Sequence, residues 1–225
     1  MTSTNPIIAV LGGTGEEGFG LALRWSESGY RVIIGSRSLD RAISRASEAN
    51  SSLSSGSVPV EAMDNLAAAR TCDISVLTVP YTAHEATLTT VKEALQGKIL
   101  VDVTVPLVPP RVSQVHLPSG GSAGQEAQAI LGENVRVVTA FQNISAMHLR
   151  HTSHKIECDV LVCGDDETAC EHVIRMAEAA GMVGWNAGPL ANAVALESLT
   201  PVLIAMNQRY KTNNAGICVT GIRRG

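Results

Sequence analysis

The chain is short of aromatic residues, with two Trp, three Tyr and two Phe, 3% in all. That is too few for the stacking platforms that hold single-stranded nucleic acid. Charge is weak as well. A net −4 over 225 residues, with no block of one sign, argues against a nucleic-acid partner. The five cysteines, Cys72, Cys158, Cys163, Cys170 and Cys218, form no C-x-x-C pair. Their odd number does not suggest a disulfide framework, so a reducing, cytoplasmic setting is expected. No apolar run is read as reaching the roughly 18 residues of a membrane span, and the polar start MTSTNP is unlike a signal peptide. No membrane partner is expected. Lysine is scarce, present only as Lys92, Lys98, Lys155 and Lys211.

What is present alternates between strand and helix. PIIAVLGG reads as a buried strand, GFGLALRWSESG as a helix stopped by Gly29, RVIIG as a second strand and SLDRAISRASEAN as a second helix. A Ser-rich loop (51–57) leads to VPVEAM, a short third strand. DISVLTVP and GKILVDVTVP are the fourth and fifth strands, with a helix between them. This alternation predicts a parallel sheet with helices on both faces. A Pro-, Ser- and Gly-rich loop (105–125) lies at the sheet's carboxyl edge, where such folds bind ligands. Beyond it come a helix, VRVVTAF, a polar connection, CDVLVCG, the helix DDETACEHVIRMAEAAG and the strand MVGWNAG. PLANAVALESLTPVLIAMNQRY then forms a long apolar helix, with a kink expected at Pro201.

GGTGEEG holds the G-x-G-x-x-G spacing as Gly13, Gly15 and Gly18, between a predicted strand and a predicted helix. In that context the spacing marks a dinucleotide site. Gly13 serves the tight turn, Gly15 lets a pyrophosphate approach, and Gly18 lets the helix pack on the strand. The helix start adds free N–H groups and partial positive charge. Glu16 and Glu17 favour the helix itself and are expected to point partly outward. The fold expected is therefore α/β, a Rossmann-type doubly wound, mostly parallel sheet. Residues 1–188 form the NADP-binding domain, and residues 189–225 form a small C-terminal helical subdomain.

An NAD site offers a carboxylate to the adenosine ribose about 20 residues beyond the glycines. Here Ser36 and Arg37 stand there, with Arg41 one helical turn on. A hydroxyl and two guanidinium groups suit a 2′-phosphate, which a carboxylate would repel. The coenzyme expected is NADP(H).

A similar architecture in the 6-phosphogluconate and β-hydroxyacid dehydrogenases carries a catalytic Lys on the helix after a Gly-Pro turn. In GPLANAVALESLTP the corresponding position is Glu197, and none of the four lysines lies on that helix. A hydroxyacid substrate is disfavoured. An acceptor ring that spreads its own charge needs no strong acid, only donors of the kind offered by TAFQNISA and ESLTP.

The segments AVLGGTGEEGFGLALR, GSR, VLTVP, DVLVCGDD, AGPLANAVALESLTP and NQRYKTNNAGI together resemble the NADP oxidoreductases of coenzyme F-420 (F420), an 8-hydroxy-5-deazaflavin. The resemblance implies reversible hydride transfer between NADP(H) and F420, and a homodimer or larger homo-oligomer with small-molecule coenzymes as its partners. It places Thr14, Gly15, Glu16 and Glu17 on the pyrophosphate and Ser36, Arg37 and Arg41 at the 2′-phosphate. Thr78, Val79, Pro80 and Tyr81 would flank the nicotinamide. Gln142, Ile144 and Ala146 would lie at the junction of the two rings. Ser198, Thr200, Ala215 and Gly216 would close the deazaflavin pocket. Gln142 and Thr200 are the residues expected at the reacting atoms. The archaeal form has His where this chain has Gln142 and Trp where it has Tyr81. Gln cannot shuttle a proton near neutral pH. Two other readings stay open at this point: an NADPH-dependent reductase of a flavin or of a small carbonyl or imine compound, and an NADP sensor without turnover.

Three further features are weighed against site roles. His148, His151 and His154 have no Cys or carboxylate partner at ligand spacing, so no metal is expected. GDDET reads as an acidic first turn of a helix. Arg223 and Arg224 in GIRRG read as a solvated tail or as contacts to the F420 tail, and Glu197 as a structural acid or one that orients the pocket.

Overall fold

Strand β1 (Ile8–Leu11) lies inside an eight-stranded sheet and is buried along its whole length. Its side chains alternate. Ile8 and Val10 enter one hydrophobic cluster with Phe19, Trp25 and Ile34. Ala9 and Leu11 enter a second cluster on the other face with Ile33, Leu77 and Leu100. Burial on both faces explains why the strands read as continuous apolar runs. A computed structural model describes residues 5–153 and 155–222.

The remaining elements follow in chain order: α1 (Glu16–Glu27), β2 (Val32–Ser36), α2 (Leu39–Ser52), β3 (Glu61–Asp64), α3 (Asn65–Thr71), β4 (Ile74–Leu77), α4 (Tyr81–Val91) and β5 (Ile99–Asp102). The second half continues with α5 (Ala123–Leu131), β6 (Arg136–Thr139), α6 (Ala146–Leu149), β7 (Asp159–Gly164), α7 (Glu167–Ala179), β8 (Val183–Asn186) and α8 (Ala193–Tyr210). Strand order is β3-β2-β1-β4-β5-β6-β7-β8. All neighbours are parallel except β6 and β7, which pair antiparallel. The order reverses between β1 and β4, and the crevice above that reversal is where doubly wound sheets take ligands.

The doubly wound sheet expected from the sequence is present. Three details differ. Strand β3 starts at Glu61 rather than at Val58, because Val60 is tied through its N–H and C=O to the Asn50 side chain. Helix α3 was not anticipated. Its signal is Asp64, whose carboxylate accepts from Ala67 N–H at 2.8 Å and caps an alanine-rich turn. The stretch Leu190–Tyr210, with a mean hydropathy of 1.3, is long and apolar enough to cross a membrane by length and composition alone. That corrects the sequence expectation, and the reason is its low charge, confined to Glu197 and Arg209. Helix α8 runs without interruption through Pro201 to Tyr210.

The connection after β6 is held by Arg24. Its buried guanidinium donates to the main-chain carbonyls of His148, Leu149, His151 and Ala180. His154 lies outside the described residues, as do Arg223 and Arg224.

Candidate active site

The glycine loop joins β1 to α1 above the sheet's point of reversal. The left-handed residue is Gly12, at φ +76°, one position before the glycine that the motif marks for the turn. Gly12 N–H donates to Asn65 Oδ1 at 3.3 Å, so the unanticipated helix α3 also fastens this loop. Gly13 N–H is shared between Val10 O and Gly35 O, both at 3.1 Å, and a Cβ there would meet Val10 O at 2.7 Å. Gly15 caps α1 without a side chain, and a Cβ on it would meet nothing nearer than Gly12 O at 3.9 Å. Open space over a helix start with uncapped N–H groups fits a phosphate. Gly18 sits against Gly13, whose Cα would lie 2.8 Å from a Cβ at position 18. Thr14 lies half-buried in the same turn.

The two glutamates that follow diverge. Glu16 turns toward two arginines, Arg45 at 2.7 Å and Arg150 at 2.6 Å. Both guanidinium groups lie over the Phe19 ring, at 3.8 and 5.2 Å from its centroid. Burial would raise the Glu16 pKa, but hydrogen bonds and charge from Arg45 and Arg150 hold it below the ordinary value. Glu17 is half-buried, and no hydrogen bond or ion pair of its side chain is found among the described residues. Burial alone pushes its carboxyl up to about 8.

At the end of β2, Ser36 is buried and its Oγ accepts from Ser38 N–H at 3.2 Å. Ser38 caps α2 by accepting from Arg41 N–H at 3.5 Å. Arg37 and Arg41 are exposed beside it, and neither side chain has an ion pair among the described residues.

One cavity of about 510 Å³ gathers much of what the sequence singled out. Gly15, Glu16, Glu17, Thr78, Val79, Pro80, Tyr81, Gln142, Ile144 and Thr200 all line it, with the loop after β5 as its further wall. Ala215 lines a smaller cavity of about 170 Å³ that shares Gln142, Ile144 and Thr200. Gly216 lines a third, of about 270 Å³, where a Cβ would meet Cys158 Sγ at 2.9 Å. Ser198 and Ala146 line none of these. Ser198 Oγ donates back to Val194 O at 2.6 Å, and Ala146 opens α6. A larger cavity, about 780 Å³, lies between Gln128, Arg136, Asp165 and Leu190 and contains none of these residues. The chemistry-bearing side chains and the sheet's reversal point both favour the 510 Å³ cavity.

The chain is similar to proteins of known family. Residues 7–106 match a family model described as NADP oxidoreductase, coenzyme F420-dependent. Over 220 residues the chain is 39% identical to the F420-dependent NADP reductase of Methanothermobacter marburgensis, covering 96% of this chain and 98% of that one. The chain belongs to the F420-dependent NADP reductases. The F420-dependent NADP reductase of Methanocaldococcus jannaschii is 36% identical over 221 residues, 96% of this chain and 98% of that one. A crystal structure from Arthrobacter sp. FB24, provisionally described as an F420-dependent NADP-reductase, superposes with a TM-score of 0.81 at 22% identity, covering 96% of this chain and 99% of that one. A pyrroline-5-carboxylate reductase from Coxiella burnetii superposes with a TM-score of 0.61 at 16% identity, over 92% of this chain and 69% of that one. These two structural likenesses carry the fold alone.

Around the cavity, Asp102, His84 and Glu126, which motif reading missed, tie down residues that the sequence had singled out. Asp102, at the end of β5, is fully buried and pairs with His84 Nε2 at 2.6 Å. Burial would lower the His84 pKa, yet the Asp102 hydrogen bond and charge, with Glu126 and Glu197 further off, leave it raised. The other Asp102 oxygen accepts from Thr104 N–H at 2.9 Å, and its main-chain oxygen accepts from Gln142 Nε2 at 2.8 Å. Thr200 Oγ1 donates to Gln142 O at 2.7 Å. Gln142 is therefore fixed from both sides, by strand β5 and by helix α8. Tyr81 O–H donates to Glu126 at 2.8 Å, and burial, then that carboxylate, push the phenol up to about 12. Glu197, only 3% exposed, accepts from Ala123 N–H at 2.8 Å and Gly124 N–H at 3.0 Å at the start of α5. Burial pushes its carboxyl up to about 7, against those two bonds. Adjacent like polarity in sequence could not have revealed these pairings, since they join different strands and helices.

Proposed function

We propose that this chain transfers a hydride reversibly between NADP(H) and coenzyme F420, with the 510 Å³ cavity as the place where the two rings meet. The full-length likeness to F420-dependent NADP reductases carries this reading. The residues at hand fit both coenzymes. Uncapped N–H groups at the α1 start suit a pyrophosphate, and Arg37 and Arg41, exposed beside Ser36 and without an ion pair among the described residues, suit a 2′-phosphate. The cavity wall, with Val79, Pro80, Val105, Leu107 and Ile144 among its residues, suits flat rings.

NADPH supplies the hydride, and the deazaflavin takes it at a ring carbon and spreads the charge. The protein's part is to hold and exclude. Gln142, fixed by Asp102 and Thr200, orients polar ring edges, while Val79, Ile144 and the loop after β5 keep water out. Fixing two rings in reacting geometry lowers the barrier by several kcal/mol, of order ~7. In this reading residues 1–188 bind NADP(H), and residues 189–225 close the second pocket through Thr200 and Ala215. Helix α8 leaves Val202 (45%), Met206 (43%) and Tyr210 (69%) exposed; this apolar stripe supports pairing of two copies as a homodimer. Five free thiols fit a reducing cytoplasm.

The test is spectroscopic. Purified protein with NADPH should bleach the oxidised F420 absorption band, and should leave FMN and FAD unchanged. Bleaching of FMN alone would replace this reading with that of a flavin reductase, and no bleaching with any acceptor would leave a sensor. Val105→Trp, which fills the cavity from its loop wall, should lower kcat/KM by about tenfold or more at unchanged melting temperature. Retained activity would move the reaction elsewhere.

A further inference from the structure

Reduction of a deazaflavin by NADPH takes up one proton besides the hydride. A C–H bond of NADPH breaks with its electron pair, a C–H bond forms on the acceptor ring, and a ring nitrogen of the pyrimidine portion must gain H⁺. NADPH is oxidised and the deazaflavin reduced. Gln142, the side chain fixed between β5 and α8 at this cavity, is an amide and cannot release a proton.

We propose that Glu17 gives this proton to the reduced ring and takes it back in the reverse reaction. Its carboxyl O–H bond breaks as the ring N–H bond forms, and solvent later reprotonates the carboxylate. The inference rests on the 510 Å³ cavity being the meeting place of the rings.

Three titratable side chains line that cavity: Glu16, Glu17 and Tyr81. Glu16 is held ionised between Arg45 and Arg150 and has no proton to give. The Tyr81 phenol is turned to Glu126 and releases its proton only near pH 12. Glu17 remains. It stands in the first turn of α1, half-buried, with no partner for its carboxyl among the described residues. An enclosed polar group without a partner is costly unless a ligand completes it. Beside it on α1, Glu16 pairs with Arg45 from α2 and Arg150 from the segment after α6, and both arginines also pair with Glu48 of α2. Those four charges balance, and burial is what raises the Glu17 carboxyl. A carboxyl that titrates at about 8 is proton-loaded at neutral pH and still able to exchange.

The test compares the wild type with Glu17→Gln, an isostere without an exchangeable acid proton, in both directions between about pH 6 and 9.5. For the wild type, kcat for F420 reduction should fall with unit slope above roughly pH 8, and kcat for NADP⁺ reduction should rise through the same range. In Glu17→Gln both slopes should vanish and kcat at pH 7 should drop by about tenfold or more, with KM for NADPH little changed. An infrared band of a protonated carboxyl, lost near pH 8 in the coenzyme-free wild type and missing from the variant at equal melting temperature, should identify the group without turnover.

Unchanged kcat and slope in Glu17→Gln would overturn the proposal. So would an effect confined to KM for NADPH, which would make Glu17 a neighbour of the phosphates only, or the absence of the infrared band. If Val105→Trp remains active, the cavity assignment fails and this inference with it. If Val105→Trp is inactive while Glu17→Gln behaves as wild type, only the inference fails.

Discussion

Arg37→Asp will lower the ratio of kcat/KM for NADPH to that for NADH by about 10³-fold. The substitution removes a guanidinium that can form one or two charge-assisted hydrogen bonds with a phosphate, about 1.5–3 kcal/mol each. It also places a carboxylate where it repels the 2′-phosphate and can accept from the ribose hydroxyls of NADH. Together these give a swing of about 4 kcal/mol, and every 1.4 kcal/mol is tenfold. Arg37 is exposed at the end of β2 and carries no ion pair among the described residues, so its loss should leave stability unchanged. Steady-state kinetics with both nucleotides and F420 measure the ratio. Arg41, on the first turn of α2, should contribute less, because Asp40 beside it offsets part of its charge. If the ratio stays within about threefold of the wild type, the 2′-phosphate does not sit on this surface.

Glu197→Ala will destabilise the protein by about 3 kcal/mol. Its carboxyl is only 3% exposed and accepts from the N–H groups of Ala123 and Gly124 at 2.8 and 3.0 Å. Truncation leaves two buried donors unpaired, at about 1–3 kcal/mol each. It also removes a carboxyl from the positive end of α5, worth about 0.3–1 kcal/mol. Partial entry of water offsets some of this loss. Urea unfolding with constant m-value measures the difference. The effect has a pH signature. The folded pKa is raised by burial to about 7, above the ordinary carboxylate value of 4.5. The folded state therefore binds more protons than the unfolded one between those two values, and stability falls as pH rises through that window. This group's contribution is fully present below about pH 4.5 and lost by about pH 7. Glu197→Gln should flatten that slope while keeping one acceptor for the α5 start. A slope identical to that of the wild type would assign the titration to another group.

The two glutamates of the glycine loop illustrate how far a linear reading goes. Glu16 and Glu17 are the same residue type in adjacent positions, and both suit a helix start. One reaches Arg45 and Arg150, 29 and 134 residues away. The other lines the cavity with no partner for its carboxyl among the described residues. No local rule separates them, because the partners come from α2 and from the segment after α6. Helix α3 is a different kind of omission. Its Asp64 cap and its alanines were legible, but a seven-residue helix is too short to show a hydrophobic period. Glu197 stood out where a lysine was missing and was read as a structural or pocket-orienting acid. That it fastens α8 to α5 depends on two segments more than 70 residues apart meeting, as the separations of 74 and 73 show.

The sequence by itself determined the alternation of strand and helix, the phosphate loop and the cation at the end of β2. These are local signals: period, glycine where a Cβ has no room, and charge at a fixed distance from a motif. The tertiary structure alone decided which polar groups are paired. Asp102 holds His84, Thr104 and Gln142 because β5 lies between β4 and β6. Glu17 has no partner among the described residues, because Arg45 and Arg150 converge on Glu16 instead. Pairing in a low-dielectric interior depends on distances of a few ångströms between remote segments, and only the assembled sheet and its helices set those distances.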